Sequence, residues 1–138
     1  MGESLRGDET YLMEQDRMVE FSTEFDPQSF HIDPVAAKDS IYGGLIASGW
    51  HTSAALMRLN TEHLGEASMG AFGIDELRWP RPVRAGDELR LTWTILDKRV
   101  SQSKPDRGIM RVRQELHDQN DELVFSCIAN MMIRVRTS

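Results

Sequence analysis

The chain has 138 residues, of which 40% are apolar and 28% charged, proportions typical of one globular domain with a single core. Its 22 acidic and 16 basic side chains give a formal net charge of −6. This balance argues against nucleic-acid binding, which needs a basic surface. Cys127 is the only cysteine, so no internal disulfide can form. The first residues lack the apolar stretch of a secretory signal, and no apolar run is long enough to span a bilayer, so we expect a cytoplasmic protein without a membrane partner.

The N-terminal region predicts short elements. Residues 1–16 are polar without periodicity and are expected to form a flexible arm, followed by a single domain over residues 17–138. Residues 18–25 are compatible with a short strand. Residues 34–38 predict one helical turn, because Asp33 suits the N-cap and Pro34 suits the first helical position.

Between these elements a carboxylate and an imidazole, Asp26 and His31, lie five residues apart. Pro27 and Pro34 disfavour helix at the residues before them, so the segment predicts an ordered loop that turns both side chains toward one point. A carboxylate beside an imidazole can hold a water and move protons near neutral pH. On spacing alone a second interpretation stays open, in which Asp26 caps the turn at Pro27 and His31 is an ordinary loop residue.

A long helix is predicted over residues 45–60, which follow two glycines. Apolar residues cover most of its circumference, and a helix of this kind is buried on nearly all sides. Gly49 within it would cost roughly 1 kcal/mol relative to alanine, so something needs its bare backbone, either close packing or a ligand. Tyr42 and Trp50 nearby favour core or dimer contacts over the wall of a substrate pocket.

The second half predicts four strands, over residues 69–79, 89–95, 109–116 and 123–135. Leu89, Leu91, Trp93 and Ile95 alternate with polar residues, which is typical of a half-buried strand. Short connections between consecutive strands favour an antiparallel sheet. One sheet can bury the long helix only by curving around it, so we expect an α+β fold. A second copy would cover the remaining apolar surface, which predicts a homodimer or a dimer-based higher oligomer.

Three motifs resemble one known family. Asp26-x-Gln28-x-x-His31-x-Asp33 is similar to the D-x-N-P-x-H-x-D loop of the MaoC-like acyl-CoA dehydratases, the (R)-specific enoyl-CoA hydratase branch of the hotdog superfamily. Residues 42–50 (YGGLIASGW) resemble the glycine-containing start of that family's central helix. Residues 77–87 (LRWPRPVRAGD) resemble its strand followed by P-V and G-D corners. The resemblance spans about residues 18–136.

The resemblance implies a hotdog fold, a curved antiparallel sheet wrapped around a long central helix. It also implies reversible addition of water to a trans-2-enoyl-CoA to give a 3-hydroxyacyl-CoA. Asp26 and His31 would be the catalytic pair, and the backbone N–H of Gly49 would stabilise negative charge on the thioester oxygen. Ser48 and Gln28 would assist in binding substrate or positioning the water. The resemblance implies no metal and no cofactor, because coenzyme A enters as part of the substrate.

Three residues depart from the family's commoner pattern. The family more often has Asn-Pro where Gln28 and Ser29 stand, and histidine where Ser48 stands. Two other functions therefore remain as alternatives. A hotdog thioesterase usually places a carboxylate on or beside the long helix, yet residues 43–61 contain none. A catalytically silent subunit that binds acyl-CoA is the other, and the presence of Asp26 and His31 argues against it.

Overall fold

The computed structural model describes residues 2–135. Its strands are β1 (Ser4–Leu12), β2 (Ser68–Arg78), β3 (Glu88–Val100), β4 (Arg107–His117) and β5 (Leu123–Arg134). Its helices are α1 (Gln15–Phe25), α2 (Ser29–Ile32), α3 (Pro34–Lys38) and α4 (Gly49–Leu64). Residues 136–138 of the expected domain lie outside the described residues.

The strands form one antiparallel sheet in the order β1-β3-β4-β5-β2. Strands β3, β4 and β5 follow one another along the chain and pair as neighbours, as their short connections predicted. Side chains alternate along β3, where Leu89, Leu91, Trp93 and Ile95 are buried and the residues between them are partly exposed. This alternation gives the sheet one apolar face.

The apolar face of the sheet packs against α4. Ala55, Leu56 and Leu59 of α4 belong to the same buried cluster as Trp93 of β3 and Phe125 of β5. The α+β architecture of a curved sheet around one long helix is therefore confirmed. The arrangement holds the first turn of α4 in a fixed position relative to the sheet.

Helix α4 begins at Gly49, four residues later than the sequence predicted, and extends to Leu64. Ser48 determines this start because its backbone is extended and its hydroxyl accepts a hydrogen bond from the Trp50 N–H, as an N-cap does. Gly49 is thus the first helical residue and not an interior one. The prediction of burial on nearly all sides is also wrong, because Trp50 and Met57 are 59% and 53% exposed in the single chain.

The N-terminal region differs most from the prediction. The prediction of a flexible arm is wrong for Ser4–Leu12, because these residues form strand β1 and pair with β3. Met13, the next residue in sequence, is fully buried. Both faces of this edge strand are largely exposed, so backbone hydrogen bonds hold it without an apolar pattern. The strand predicted over residues 18–25 is also wrong. This segment lies in α1, where Met18 and Ser22 are buried one helical turn apart.

Within residues 2–135, no helix is both long and apolar enough to cross a membrane.

Candidate active site

Asp26 and His31 lie beside each other where α1 ends and α2 follows. Asp26 is the C-cap of α1 and His31 lies in the single turn of α2. The predicted ordered loop is therefore partly helical, since Ser29–Ile32 form that turn. The turn brings the His31 Nε2 atom to 3.2 Å from Oδ2 of Asp26. The prediction that the two side chains converge on one point is confirmed.

The backbone determines which nitrogen of His31 faces Asp26. Nδ1 lies 2.8 Å from the carbonyl oxygen of Ile46, which can only accept, so Nδ1 carries a hydrogen and donates it. This bond orients the ring so that Nε2 faces the carboxylate. The ring is 5% exposed and packs at its edge against Phe30, with ring centroids 4.4 Å apart. His31 is thus held in one orientation, with Nε2 directed at the Asp26 carboxylate.

Both oxygens of Asp26 accept hydrogen bonds from two of the residues that depart from the family pattern. The Gln28 side-chain amide donates to Oδ1 at 2.7 Å, and the Ser48 hydroxyl donates to Oδ2 at 2.8 Å. Partial burial raises the pKa of Asp26, but the bonds from Gln28 and Ser48 and the proximity of His31 together outweigh it and lower the pKa. Asp26 is therefore ionised at neutral pH.

The lowered pKa of Asp26 makes part of the stability of the fold depend on pH. A carboxyl group whose pKa is lower in the folded than in the unfolded state stabilises the folded state at pH values above the unfolded pKa, here 3.8. This contribution is lost as the pH falls through the folded pKa. We expect Asp26→Asn to be less stable than the wild type near neutral pH, with the difference shrinking below pH 3.8. Urea unfolding of the wild type and of Asp26→Asn, near neutral pH and below pH 3.8, measures this difference in stability. A difference independent of pH would contradict the prediction.

The first turn of α4 places a backbone donor near the pair. Among residues 2–135, the Gly49 N–H forms no hydrogen bond, whereas the next three N–H groups of α4, those of Trp50, His51 and Thr52, all bond to Ser48. Unpaired N–H groups and the helix dipole make this end of a helix favourable for negative charge. The Gly49 N–H is the donor that the sequence singled out for the thioester oxygen.

Close packing also explains why position 49 is a glycine. A Cβ on Gly49 would lie 2.6 Å from the indole ring of Trp79, closer than real Cβ contacts come. The Trp79 Nε1–H donates to the Gly49 carbonyl at 2.9 Å, and the ring packs edge-on against Trp50. Trp79 comes from the end of β2, thirty residues along the chain, so the sequence offered no sign of this contact.

We expect Gly49→Ala to lower the free energy of unfolding by about 1 kcal/mol, the contribution of one lost hydrogen bond, although alanine is the better helix former. The added methyl group would displace the Trp79 indole from the Gly49 carbonyl. Urea unfolding of the single variants and of Gly49→Ala with Trp79→Ala measures the coupling. The cost should vanish in the Trp79→Ala background, and an equal cost in both backgrounds would contradict the explanation.

Asp26, Gln28, His31 and Gly49 line one cavity of about 500 Å³. Ser48 does not line it, because Ser48 is fully buried behind Asp26. Tyr42 and Trp50 do line it, which corrects the expectation that they belong only to the core or to a dimer contact. The sequence missed Trp79, which also lines the cavity. The cavity therefore combines a carboxylate beside an imidazole, the first residue of α4 and aromatic walls.

Known proteins are similar to this chain in sequence and in fold. The chain is 38% identical to a MaoC-like dehydratase from Rhodospirillum rubrum, whose structure superposes with a TM-score of 0.90 over 100% of this chain and 94% of that one. It is 29% identical over 122 residues to the uncharacterised protein YdeM of Bacillus subtilis, covering 87% of this chain and 85% of that protein. It is 32% identical over 83 residues to the mesaconyl-CoA hydratase of Haloarcula marismortui, covering 59% of this chain and 23% of that protein.

The sheet curved around α4 and the superposition with the Rhodospirillum rubrum structure define a hotdog-fold protein. Residues 1–116 match the family described as MaoC like domain. The chain belongs to the MaoC-like family, as its loop, helix and corner motifs indicated.

Proposed function

We propose that this protein reversibly adds water to a trans-2-enoyl-CoA, giving a 3-hydroxyacyl-CoA, with Asp26 and His31 as the catalytic pair. The observation that carries the proposal is the 3.2 Å contact between His31 Nε2 and Asp26 Oδ2 in the cavity that Gly49 also lines. Hydration needs a held water, a proton donor and acceptor, and a donor for the developing oxyanion. Asp26, His31 and Gly49 can supply these groups from the lining of one cavity.

The reaction moves the atoms of one water. The pair holds the water, its oxygen bonds to the β-carbon, and one of its protons passes to the pair. The pair returns a proton to the α-carbon, so that water adds across the double bond without any change of oxidation state. Ionised Asp26 can accept a proton, and Nε2 of His31 can exchange one because Nδ1 is held by Ile46. No redox cofactor is needed, and coenzyme A enters only as part of the substrate.

Negative charge grows on the thioester oxygen during this step. The Gly49 N–H is unpaired among the described residues and belongs to the first turn of α4, so it can donate to that oxygen. Gly49 itself adds no side chain next to this donor, and the Trp79 indole packs against its Cα. We assign Gly49 to the oxyanion site on these grounds.

Gln28 and Ser48 act through Asp26 in this proposal, as positioning residues. One donates to each carboxylate oxygen, and Ser48 also caps α4. The departures from the commoner family pattern therefore supply donors that keep the carboxylate oriented and ionised.

Membership of the MaoC-like family supports hydration over the alternatives, and so does the partial match to a protein named as a mesaconyl-CoA hydratase. The first turn of α4 carries no acidic residue, which disfavours a thioesterase that activates water from this helix. Incubation with crotonyl-CoA tests the proposal by following both the enoyl absorbance and free thiol. Loss of absorbance without thiol supports hydration. Thiol release would indicate hydrolysis. If neither the absorbance nor the free thiol changes, a silent acyl-CoA-binding subunit is the remaining alternative.

We also propose that the protein is a homodimer or a dimer-based higher oligomer. Strand β2 lies at one edge of the sheet and exposes Phe72 and Ile74 by 59% and 48%. Trp50 and Met57 of α4 are exposed as well. An open strand edge and exposed apolar side chains favour association with a second copy, which would also cover the cavity mouth near Trp50.

Light scattering at micromolar concentration tests the association. We expect a mass of at least two chains for the wild type and a lower mass for Phe72→Asp, because a buried charge would oppose the contact. Leu5→Asp is the matched control, since Leu5 is 47% exposed on β1, at the edge of the sheet opposite β2, and its replacement should leave the mass unchanged. A monomeric wild type would contradict the proposal.

A further inference from the structure

Trp79 contacts the first residue of α4 in two ways. Its indole ring fills the place where a side chain on Gly49 would lie, since a Cβ there would come within 2.6 to 2.9 Å of three ring atoms. Its Nε1–H also donates to the Gly49 carbonyl oxygen at 2.9 Å. The residue that directly follows β2 thus gives Gly49 both the packing that a side chain would provide and a hydrogen bond.

Hydrogen bonds hold the two peptide groups that flank Gly49. The group before it is held through the Ser48 carbonyl, which accepts from two N–H groups of α4 at 3.0 and 3.1 Å. The group after it is held through the Gly49 carbonyl, which accepts from Trp79 and from the Ser53 hydroxyl at 3.0 Å. Among these donors only Trp79 comes from outside α4. Because glycine has unusually wide freedom in φ and ψ, these bonds determine where the Gly49 N–H points.

The segment that carries Trp79, residues 79–84, is itself restrained. Two of its residues are prolines, whose fixed φ limits the motion of the backbone. Two hydrogen bonds tie it to the residues that precede α4, from the Ala47 N–H to the Val83 carbonyl at 2.8 Å and from the Arg84 guanidinium to the Tyr42 carbonyl at 2.7 Å. Trp79 therefore holds Gly49 from a fixed support.

We propose that Trp79 is a positioning residue, whose indole N–H holds the Gly49 carbonyl so that the Gly49 N–H points at the thioester oxygen of the bound substrate. The inference rests on the proposed function, which assigns Gly49 to the oxyanion site. A donor that is oriented in advance stabilises the developing charge without reorganising during the reaction. Trp79 acts on the rate through Gly49 and not by contact with the reacting atoms.

A role limited to substrate contact is the alternative, because Trp79 also lines the cavity. The two roles affect different kinetic constants. Loss of an interaction that binds substrate and transition state equally raises KM and leaves kcat unchanged. Loss of an interaction that is made only in the transition state lowers kcat.

Trp79→Phe keeps an aromatic ring at this position and removes the indole N–H. Removing an oxyanion donor altogether costs about 10²–10³-fold in kcat, so we expect its misorientation to lower kcat for crotonyl-CoA by about tenfold or more, with little change in KM. A wild-type kcat in Trp79→Phe, or a rise in KM alone, would overturn the inference.

Trp93→Phe is the matched control for this variant. The Trp93 indole N–H also donates a hydrogen bond, to the Asn60 carbonyl oxygen at 2.8 Å, but Trp93 does not line the candidate active site. The same substitution there should cost stability, measured by urea unfolding, and keep wild-type kcat per folded molecule. An equal loss of kcat in Trp79→Phe and Trp93→Phe would show a general effect of lost packing and overturn the positioning role.

The carbonyl stretch of bound butyryl-CoA measures the oxyanion donor without turnover, because this ligand has the thioester but no double bond. A hydrogen bond to the thioester oxygen weakens the C=O bond and lowers its infrared frequency. With the ligand isotopically labelled at the thioester carbonyl carbon, we expect a lower frequency on the wild type and on Trp93→Phe than on Trp79→Phe. Equal frequencies on the wild type and Trp79→Phe, or no binding of butyryl-CoA to the wild type, would overturn the inference.

The kinetic and infrared measurements separate this inference from the proposed function. If the wild type hydrates crotonyl-CoA while Trp79→Phe keeps the same kcat and carbonyl frequency, the positioning role alone is overturned. If the wild type hydrates no enoyl-CoA, the hydratase is overturned, and a carbonyl frequency raised only in Trp79→Phe still supports Trp79 as the residue that orients the Gly49 donor.

Discussion

Asp26→Asn lowers kcat for crotonyl-CoA hydration by on the order of 10²-fold or more, while the protein remains folded. The amide is nearly the same size as the carboxylate, so the surrounding chain can keep its place. It cannot accept the proton of the water, and its amino group is a donor where Oδ2 accepts from Ser48. The substitution therefore slows the chemical step more than it weakens substrate binding, and the effect should appear in kcat.

Asp33→Asn is the matched control for this variant. Asp33 belongs to the same short segment, but its carboxylate accepts from the N–H groups of Val35 and Ala36 as the N-cap of α3. Asparagine caps helices about as well as aspartate, so this variant should keep wild-type activity. Near-wild-type turnover of Asp26→Asn would remove Asp26 from the mechanism.

His31→Ala should also lower kcat by on the order of 10²-fold or more. It removes the only imidazole among the described residues that lines the candidate active site, and it leaves the Ile46 carbonyl without its donor. Some loss of stability is expected as well, because His31 is buried and packs against Phe30. Activity and urea unfolding must therefore be measured on the same preparation.

His51→Ala separates the two effects. His51 is 5% exposed, like His31, but its ring stacks on Phe21 and its Nε2 lies 3.1 Å from the Tyr11 hydroxyl, outside the candidate active site. Its removal should cost stability while kcat per folded molecule is retained. If His31→Ala and His51→Ala lower kcat equally, the effect of His31→Ala is due to lost packing and not to lost proton transfer.

The strands of the second half could be predicted because each carries its own pattern. Alternating apolar residues in β3 result from a sheet with one buried face, and the polar cluster after β4 marks a turn. The Asp33 cap was predictable for the same reason, since the capping carboxylate and the N–H groups it accepts from are close in sequence. Local chemistry decided these elements.

The N-terminal half could not be predicted in this way. Strand β1 depends on the backbone of β3, 76 to 90 residues away, and its side chains carry little pattern. The start of α4 depends on the Ser48 cap, and an apolar pattern that began earlier concealed it. Pairing and capping supply hydrogen bonds that hydrophobic periodicity does not record.

The sequence by itself determined the chemistry available near the candidate site: a carboxylate and an imidazole in a segment bounded by prolines, and a glycine within a predicted long helix. Only the tertiary structure decided how these groups are oriented. The Ile46 carbonyl determines the His31 nitrogen that faces Asp26, Ser48 holds Asp26 and starts α4, and Trp79 covers Gly49. The physical reason is that hydrogen bonds and ring contacts depend on distances of a few ångströms, which distant segments acquire only when the core packs.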